Sequence, residues 1–386
     1  MKVVGLALAG VSFAAAAIFS GCAASANSDG ESELKEQAVE AAKGAKCDLA
    51  SAKGAELHIY TWSDYIAPDV IRGFEEGLGC TVVVDTFDSN ENMYAKLKAG
   101  GTGYDIIMPS SYQISTMARE KMIVALDHDR IPNVMTNFDK SFSGQILDPE
   151  FTFNVPYAVT YTGFLYQKDK VPEGADVNSW SILTNAAFKG RATLLDDIRE
   201  DIGGALMSLG YSINATDPAQ IDAAVEQILK WRANVRKFDS ESYKTEVPSG
   251  ATYIGQGYST DAAQVILGDE EEGFPPRPDL AFALPREGYS ACFDEMVIAA
   301  GAPRPDLAYA FINYVYSGVV AAANMDYLCG PTPVASGIAL LDEDYRKLIV
   351  LDPETLARGQ VLRGFDDQPE VMELYNKAWD RIKAME

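Results

Sequence analysis

Leu57-His58-Ile59-Tyr60-Thr61-Trp62, Thr81-Val82-Val83-Val84-Asp85-Thr86-Phe87 and Tyr104-Asp105-Ile106-Ile107-Met108 are three short runs rich in β-branched and aromatic residues, and their reading decides the fold. Runs of this length and composition, bounded by turn formers, are strands. Between the first two, Pro68 opens a helix that runs through Phe74 and stops near Gly77 and Gly79. Between the second and third, Asn92 to Ala99 reads as a helix ended by Gly100-Gly101. The order β-α-β-α-β implies an α/β architecture with a mostly parallel sheet and helices on both faces. The theme recurs downstream. Strands are expected at 191–195, 252–255, 281–284 and 296–299, with helices from Asp197, over 218–237, from about Thr260, over 305–316 and over 369–385.

The rest of the chain bounds the function. Its 386 residues suffice for two domains with separate cores. The 56 acidic residues outnumber 32 basic ones, a formal charge of −24. That field repels nucleic acid and raises the local concentration of cations. At the N-terminus, Lys2 is the only charge before Asp29, and an apolar run from Val3 to Phe19 leads to Ser20-Gly21-Cys22. This reads as an export signal over 1–22. The cysteine directly after Ser-Gly resembles a bacterial lipobox, in which Cys22 is lipidated. An uncleaved membrane helix is the competing reading. Residues 23–53, rich in Ala, Ser, Glu and Lys, read as a flexible tether. Four further cysteines, Cys47, Cys80, Cys292 and Cys329, permit two disulfides in an oxidising compartment, with three possible pairings. His58 and His128 are the only histidines, which excludes a His-rich metal site.

In open parallel sheets, ligands bind beyond the carboxyl ends of strands. The residues there are Trp62, Ser63, Asp64 and Tyr65, then Asp88, Ser89, Asn90 and Glu91, then Ser110, Ser111 and Tyr112. Later strands are followed by Asp196, Asp197 and Glu200, and by Tyr258, Ser259 and Asp261. Aromatics, hydroxyls and carboxylates recur, and Arg199 is the one nearby base. Carboxylates suit ammonium groups through charge-assisted hydrogen bonds. Aromatic faces suit both methylenes and cations. The pattern is that of a site for a small polyamine. Plainer readings exist for single members: Asp196, Asp197 and Asp64 as helix caps, Trp62 and Tyr65 as packing aromatics.

The stretches Tyr60–Pro68, Asp88–Leu97, Tyr104–Ser110, Val155-Pro156-Tyr157, Asp196-Asp197 with Arg199-Glu200, and Pro331-Thr332-Pro333 together resemble the motifs of spermidine/putrescine-binding proteins, in order from about Glu56 to the C-terminus. The resemblance implies a type II periplasmic-binding-protein fold, in which two α/β lobes joined by crossing hinge strands close over the ligand. The expected lobes are 54–160 with 295–333, and 161–294 with 334–386. It also implies pocket roles for Trp62, Tyr65, Ser63, Ser110 and Tyr112. Asp197, Glu200, Asp261 and Asp294 become ammonium-binding acids, with Phe293 beside Asp294, and Tyr258 stands where the family usually has Trp. Cys292, Gly330 and Phe365 depart from the pattern, at positions where Trp, Tyr and Gln are usual. Because the first two changes bring Cys292 and Cys329 toward one part of the pocket, a Cys292–Cys329 bridge is expected there, leaving Cys47–Cys80 as the second. The implied partners are a small cationic polyamine, an ABC transporter permease and, through the anchor, the membrane. The implied location is outside the cytoplasmic membrane, in periplasm or on the cell surface. A monomer without cofactor or metal is expected. Alternatives are a same-fold binder of another organic cation or a sugar, and a carboxylate-using hydrolase. The second lacks any nucleophile elbow, phosphate loop or metal cluster in the sequence.

Overall fold

The computed structural model describes residues 28–268, 275–365 and 368–384; the expected signal segment and Cys22 lie outside the described residues. Its strands, in chain order, are β1 (Glu56–Trp62), β2 (Thr81–Phe87), β3 (Ile106–Ile107), β4 (Asn154–Gln167), β5 (Ala192–Leu194), β6 (Val235–Phe238), β7 (Ile254–Tyr258), β8 (Leu280–Ala283), β9 (Tyr289–Ile298) and β10 (Gly359–Gln360). The sheet path is β2-β1-β3-β9-β4-β7-β5-β6, with β8 added on β4 and β10 on β9. At one end β1 pairs in parallel with β2 and β3, as the opening runs predict. At the other, β5 pairs in parallel with β6 and β7. The two parallel units meet through antiparallel strands. Asn154 to Tyr161 of β4 pair with β9, and Thr162 to Tyr166 of the same strand pair with β7. A single 14-residue strand thus carries the chain from one lobe to the other.

Each lobe has its own core. Leu57, Ile59, Phe74, Ile106, Phe311 and Tyr314 anchor the first. Phe164, Trp180, Leu206, Trp231 and Tyr375 anchor the second. The C-terminal stretch from 334, expected in the second lobe, divides between them: Val334, Ile349 and Leu356 pack in the first core, and Leu362, Phe365, Val371, Tyr375, Ala378 and Ile382 in the second. The helix expected over 218–237 ends at Trp231, and Val235–Phe238 becomes a strand at the sheet edge.

The expected tether is corrected. Ser28–Gly44 is a 17-residue helix, and Leu34, Ala38, Ala41, Ala42 and Ala45 are buried against the first lobe. The helix Pro68–Leu78 receives it through two glycines. A Cβ at Gly73 would lie 2.7 Å from Leu34 Cβ, and one at Gly77 would lie 2.8 Å from Ala38 Cβ. Gly77 therefore does not stop its helix; Gly79, left-handed at φ 68°, does. Small residues on both sides allow the backbones to approach closely, a packing that leaves little hydrophobic signal in the sequence.

Neither expected disulfide is formed: Cys47, Cys80 and Cys292 are free thiols. Cys47 Sγ points at Asp306 Oδ2 (3.7 Å), and Cys80 Sγ at the carbonyl of Phe74 (4.0 Å). Burial lifts both thiols to about 11, Asp306 adding to the effect at Cys47. Among the described residues no helix is long and apolar enough to cross a membrane.

Candidate functional site

β9 places the centre of the site by simple alternation. Successive side chains of a strand point to opposite faces, so Cys292 and Asp294 share one face while Phe293 and Glu295 share the other. Phe293 is fully buried and meets Phe142 edge-on at 5.8 Å. It packs the first core instead of lining the cleft, which corrects its expected role.

Asp294 is held from two directions. Tyr65, just beyond β1, donates its hydroxyl to Asp294 Oδ2 at 2.5 Å. Ser110, just beyond β3, donates to Oδ1 at 2.6 Å. Burial pushes the Asp294 carboxyl above its ordinary range, and these two donors pull it back. The Tyr65 ring lies 5.4 Å from that of Tyr157, whose hydroxyl donates to the Tyr65 carbonyl at 2.9 Å. The expected residues Tyr65, Ser110 and Asp294 thus form one cluster.

From the second lobe, the helix Ile198–Ser208 brings its N-terminus. Asp197 caps it, Oδ1 accepting the N–H groups of Arg199 (2.8 Å) and Glu200 (3.0 Å). The capping reading was therefore correct for Asp197. Asp196 instead lies 2.9 Å from Lys383. Glu200 is only 5% exposed. Burial, followed by the charge of Asp197, raises its carboxyl to about 7. Arg199 turns away: its guanidinium donates to the Arg363 carbonyl and to Asn214 Oδ1, each at 3.0 Å, and lies 4.2 Å over the Phe365 ring. Phe365 is accordingly a buried support behind Arg199.

The two halves meet around Cys292. Burial raises its thiol well above the ordinary value, Asp294 and Glu200 adding to the shift from opposite lobes. Tyr258 is raised by burial and then by Asp197 and Glu200, and Tyr112 by burial and then by Glu91, Cys292 and Asp197. Tyr112, Tyr258, Asp197, Glu200 and Asp294 therefore share one electrostatic neighbourhood. Cys329 is the left-handed C-cap (φ 50°) of the helix Gly318–Leu328 and lines a different, small cavity with Tyr161, Ser259 and Leu348. Cys329 is itself disulfide-bonded while Cys292 stays a free thiol, so the expected Cys292–Cys329 bridge is not formed.

The remaining expected residues sit elsewhere. Asp261 accepts the Tyr243 hydroxyl and lies 3.9 Å from Lys244, both from the second lobe. Ser63 and Asp64 are exposed at the turn after β1, Asp64 in the left-handed region at φ 52°. Asp64 does not cap the next helix, whose N-cap is Ala67. Trp62 packs edge-on against Phe87 at 4.5 Å, with its indole N–H buried and unpaired.

Asn90, named from sequence only among the strand-end residues, and Thr260 were given no pocket role there. Asn90 is 4% exposed and bonds Ser110 and Tyr112. Thr260 presses its methyl against Gly330, where any added Cβ would collide with it, and its hydroxyl is 3.1 Å from that of Thr160. Both contacts join parts distant in sequence, so only the assembled fold reveals them. Among the described residues, no group of three or more His, Cys, Asp or Glu side chains is placed to hold a metal ion.

The family model of bacterial extracellular solute-binding proteins matches residues 69–349. A putrescine/cadaverine-binding protein of Pseudomonas aeruginosa is 34% identical over 342 residues, covering 86% of this chain and 95% of that protein. The spermidine/putrescine-binding periplasmic protein of Escherichia coli is 30% identical, covering 85% and 91%. Among solved structures, a spermidine/putrescine ABC transporter substrate-binding protein of Streptococcus pneumoniae superposes with a TM-score of 0.76 at 32% identity, covering 85% of this chain and all of that one. A lipoprotein of Treponema pallidum gives 0.75 at 28% identity, covering 85% and 99%.

Proposed function

The chain belongs to the bacterial extracellular solute-binding proteins, and from that premise we propose that it captures a small polyamine of the putrescine or spermidine kind and delivers it to an ABC importer. The observation that carries this reading is the convergence of carboxylates from both lobes, Asp294 from one and Glu200 with Asp197 from the other, while Arg199 is engaged elsewhere. Each ammonium end of a diamine needs an acceptor that offsets its desolvation. Tyr65, Tyr112 and Tyr258 supply aromatic surface for the methylenes and a further attraction for the charge. The relatives named for putrescine and spermidine support the same cargo.

In this reading the cleft binds and releases its ligand unchanged. A ligand touching both lobes favours the closed arrangement by the difference in its affinity for the two states, and only by that amount. The strands shared by both lobes, β4 and β9, are the hinge. Lipidation at Cys22 would hold a monomeric protein at the outer face of the membrane; the lipoprotein nature of the Treponema pallidum neighbour supports this. A Cys22→Ser variant recovered in the soluble fraction, against a membrane-bound parent, would bear it out.

Calorimetric titration with putrescine, spermidine and a neutral hexose tests the cargo. Binding of an amine and silence with the sugar are expected. A folded protein that ignores every amine and binds a neutral or anionic solute overturns the proposal.

A further inference from the structure

Asn90 adds no charge to the cleft, yet its three hydrogen bonds decide where the protons around Asp294 point. It opens the helix Asn90–Lys98, which Ser89 caps, and it is 4% exposed. The backbone N–H of Ser110 can only donate, and it lies 3.0 Å from Asn90 Oδ1. The amide is therefore fixed in one orientation, since the reverse would set two donors face to face. Its nitrogen must then give its two hydrogens to Ser110 Oγ, at 3.1 Å, and to the Tyr112 hydroxyl, at 2.8 Å. A hydroxyl owns one hydrogen. Ser110, accepting from Asn90, is left with that hydrogen free for Asp294 Oδ1 at 2.6 Å.

We propose that Asn90 is a positioning residue: acting through Ser110, it keeps Asp294 an ionised acceptor for the ammonium group of the ligand. This deepens the polyamine reading and rests on it for its binding arm only. With Tyr65 donating to the other oxygen, each oxygen of Asp294 receives a hydrogen bond, and such bonds favour the charged form. They oppose the burial that favours the neutral form. The same logic leaves the Tyr112 hydrogen to point away from Asn90. The titratable groups that bear on Asp294 are Tyr65 from the turn after β1, and Cys292 and Glu295 on β9, with Glu200 reaching Cys292 from the second lobe.

The test follows the Asp294 carboxyl by carbon-13 NMR across pH in the ligand-free protein, as wild type, Asn90→Ala and Asn90→Asp. The aspartate variant is the same size and keeps the acceptor for the Ser110 N–H, but its own charge also raises the Asp294 midpoint, so only an unmoved midpoint is decisive there and a shift counts for the proposal in Asn90→Ala alone. Loss of the directed donor should raise the Asp294 midpoint by about one unit, a tenfold shift in its protonation equilibrium. Putrescine affinity should fall about tenfold in Asn90→Ala, and the double variant Asn90→Ala/Ser110→Ala should bind no more weakly than Ser110→Ala alone. An unmoved midpoint in folded Asn90→Asp, or losses that multiply in the double variant, overturns the proposal. A shifted midpoint in a protein that binds no amine upholds the positioning role and removes the cargo.

Discussion

Replacing Asp294 by Asn probes the cleft with little change of shape. Asn keeps one carbonyl oxygen to accept from Ser110 or Tyr65, and its amide can donate to the hydroxyl of the other, which can rotate to accept. What disappears is the negative charge. A hydrogen bond to a charged partner contributes about 1.5–3 kcal/mol. Taking about 2 kcal/mol, putrescine affinity should fall roughly 30-fold. The value is a lower bound, because an ammonium left buried without its counter-charge costs about 3–5 kcal/mol. The ligand-free fold should respond in the opposite sense. Burial already disfavours the charge of Asp294, so neutralising it should leave the melting temperature equal or higher. Calorimetry gives the affinity and differential scanning fluorimetry the stability. A folded variant that binds putrescine as tightly as wild type would refute the reasoning, because the first-lobe acid would then carry no ligand.

Three further outcomes are expected. Glu295, fully buried, is raised by burial to about 7 although Ser111 (2.6 Å) and Asn154 (2.8 Å) donate to it. An acid whose folded value lies above its unfolded value stabilises the fold below the unfolded value, and that contribution is lost as pH rises through the folded one. Ligand-free stability should therefore fall between about pH 4.5 and 7, by about 3 kcal/mol from this group, and a Glu295→Gln melt should lose much of that slope; equal slopes would contradict the assignment. Gly330→Ala should weaken amine binding by about 1–3 kcal/mol through overpacking against the Thr260 methyl, and a second change, Thr260→Ser, should restore it in the same titration. Leu34→Ala should destabilise the protein by about 2–4 kcal/mol in urea denaturation; a neutral result would mean that the N-terminal helix is not part of the folded unit.

The sequence disclosed β1 and β2 because bulky β-branched residues bounded by turn formers announce themselves locally, but β4, the strand that joins the lobes, and β6 were not among the expected strands. β2 begins and ends where it was expected, and β1 starts one residue earlier. Short-range logic failed where packing depends on small residues or on distant partners. Ala38, Ala41 and Ala42 gave the N-terminal helix no apolar stripe, so its composition passed for a linker, although Gly73 and Gly77 hinted that something comes close. Within the cleft, Tyr65, Ser110 and Glu200 were legible at strand ends and Asp294 only through the family resemblance, and the four converge. The partners of Asp261, Tyr243 and Lys244, were not foreseen because they arrive from a separate helix. Phe293 was misjudged because it is adjacent to Asp294, although the alternation of a strand sends neighbours to opposite faces.

In the proposed reading, the N-terminal helix bears on which half of the molecule moves. It is wedged into the first lobe by glycine contacts that leave no room for slack. Whatever restrains the chain upstream of Ser28 restrains that lobe as a frame, and opening becomes the swing of the other half on the strands they share. A jaw anchored in the proposed way would have one fixed and one moving side, and its mouth would face a direction dictated by the point of attachment.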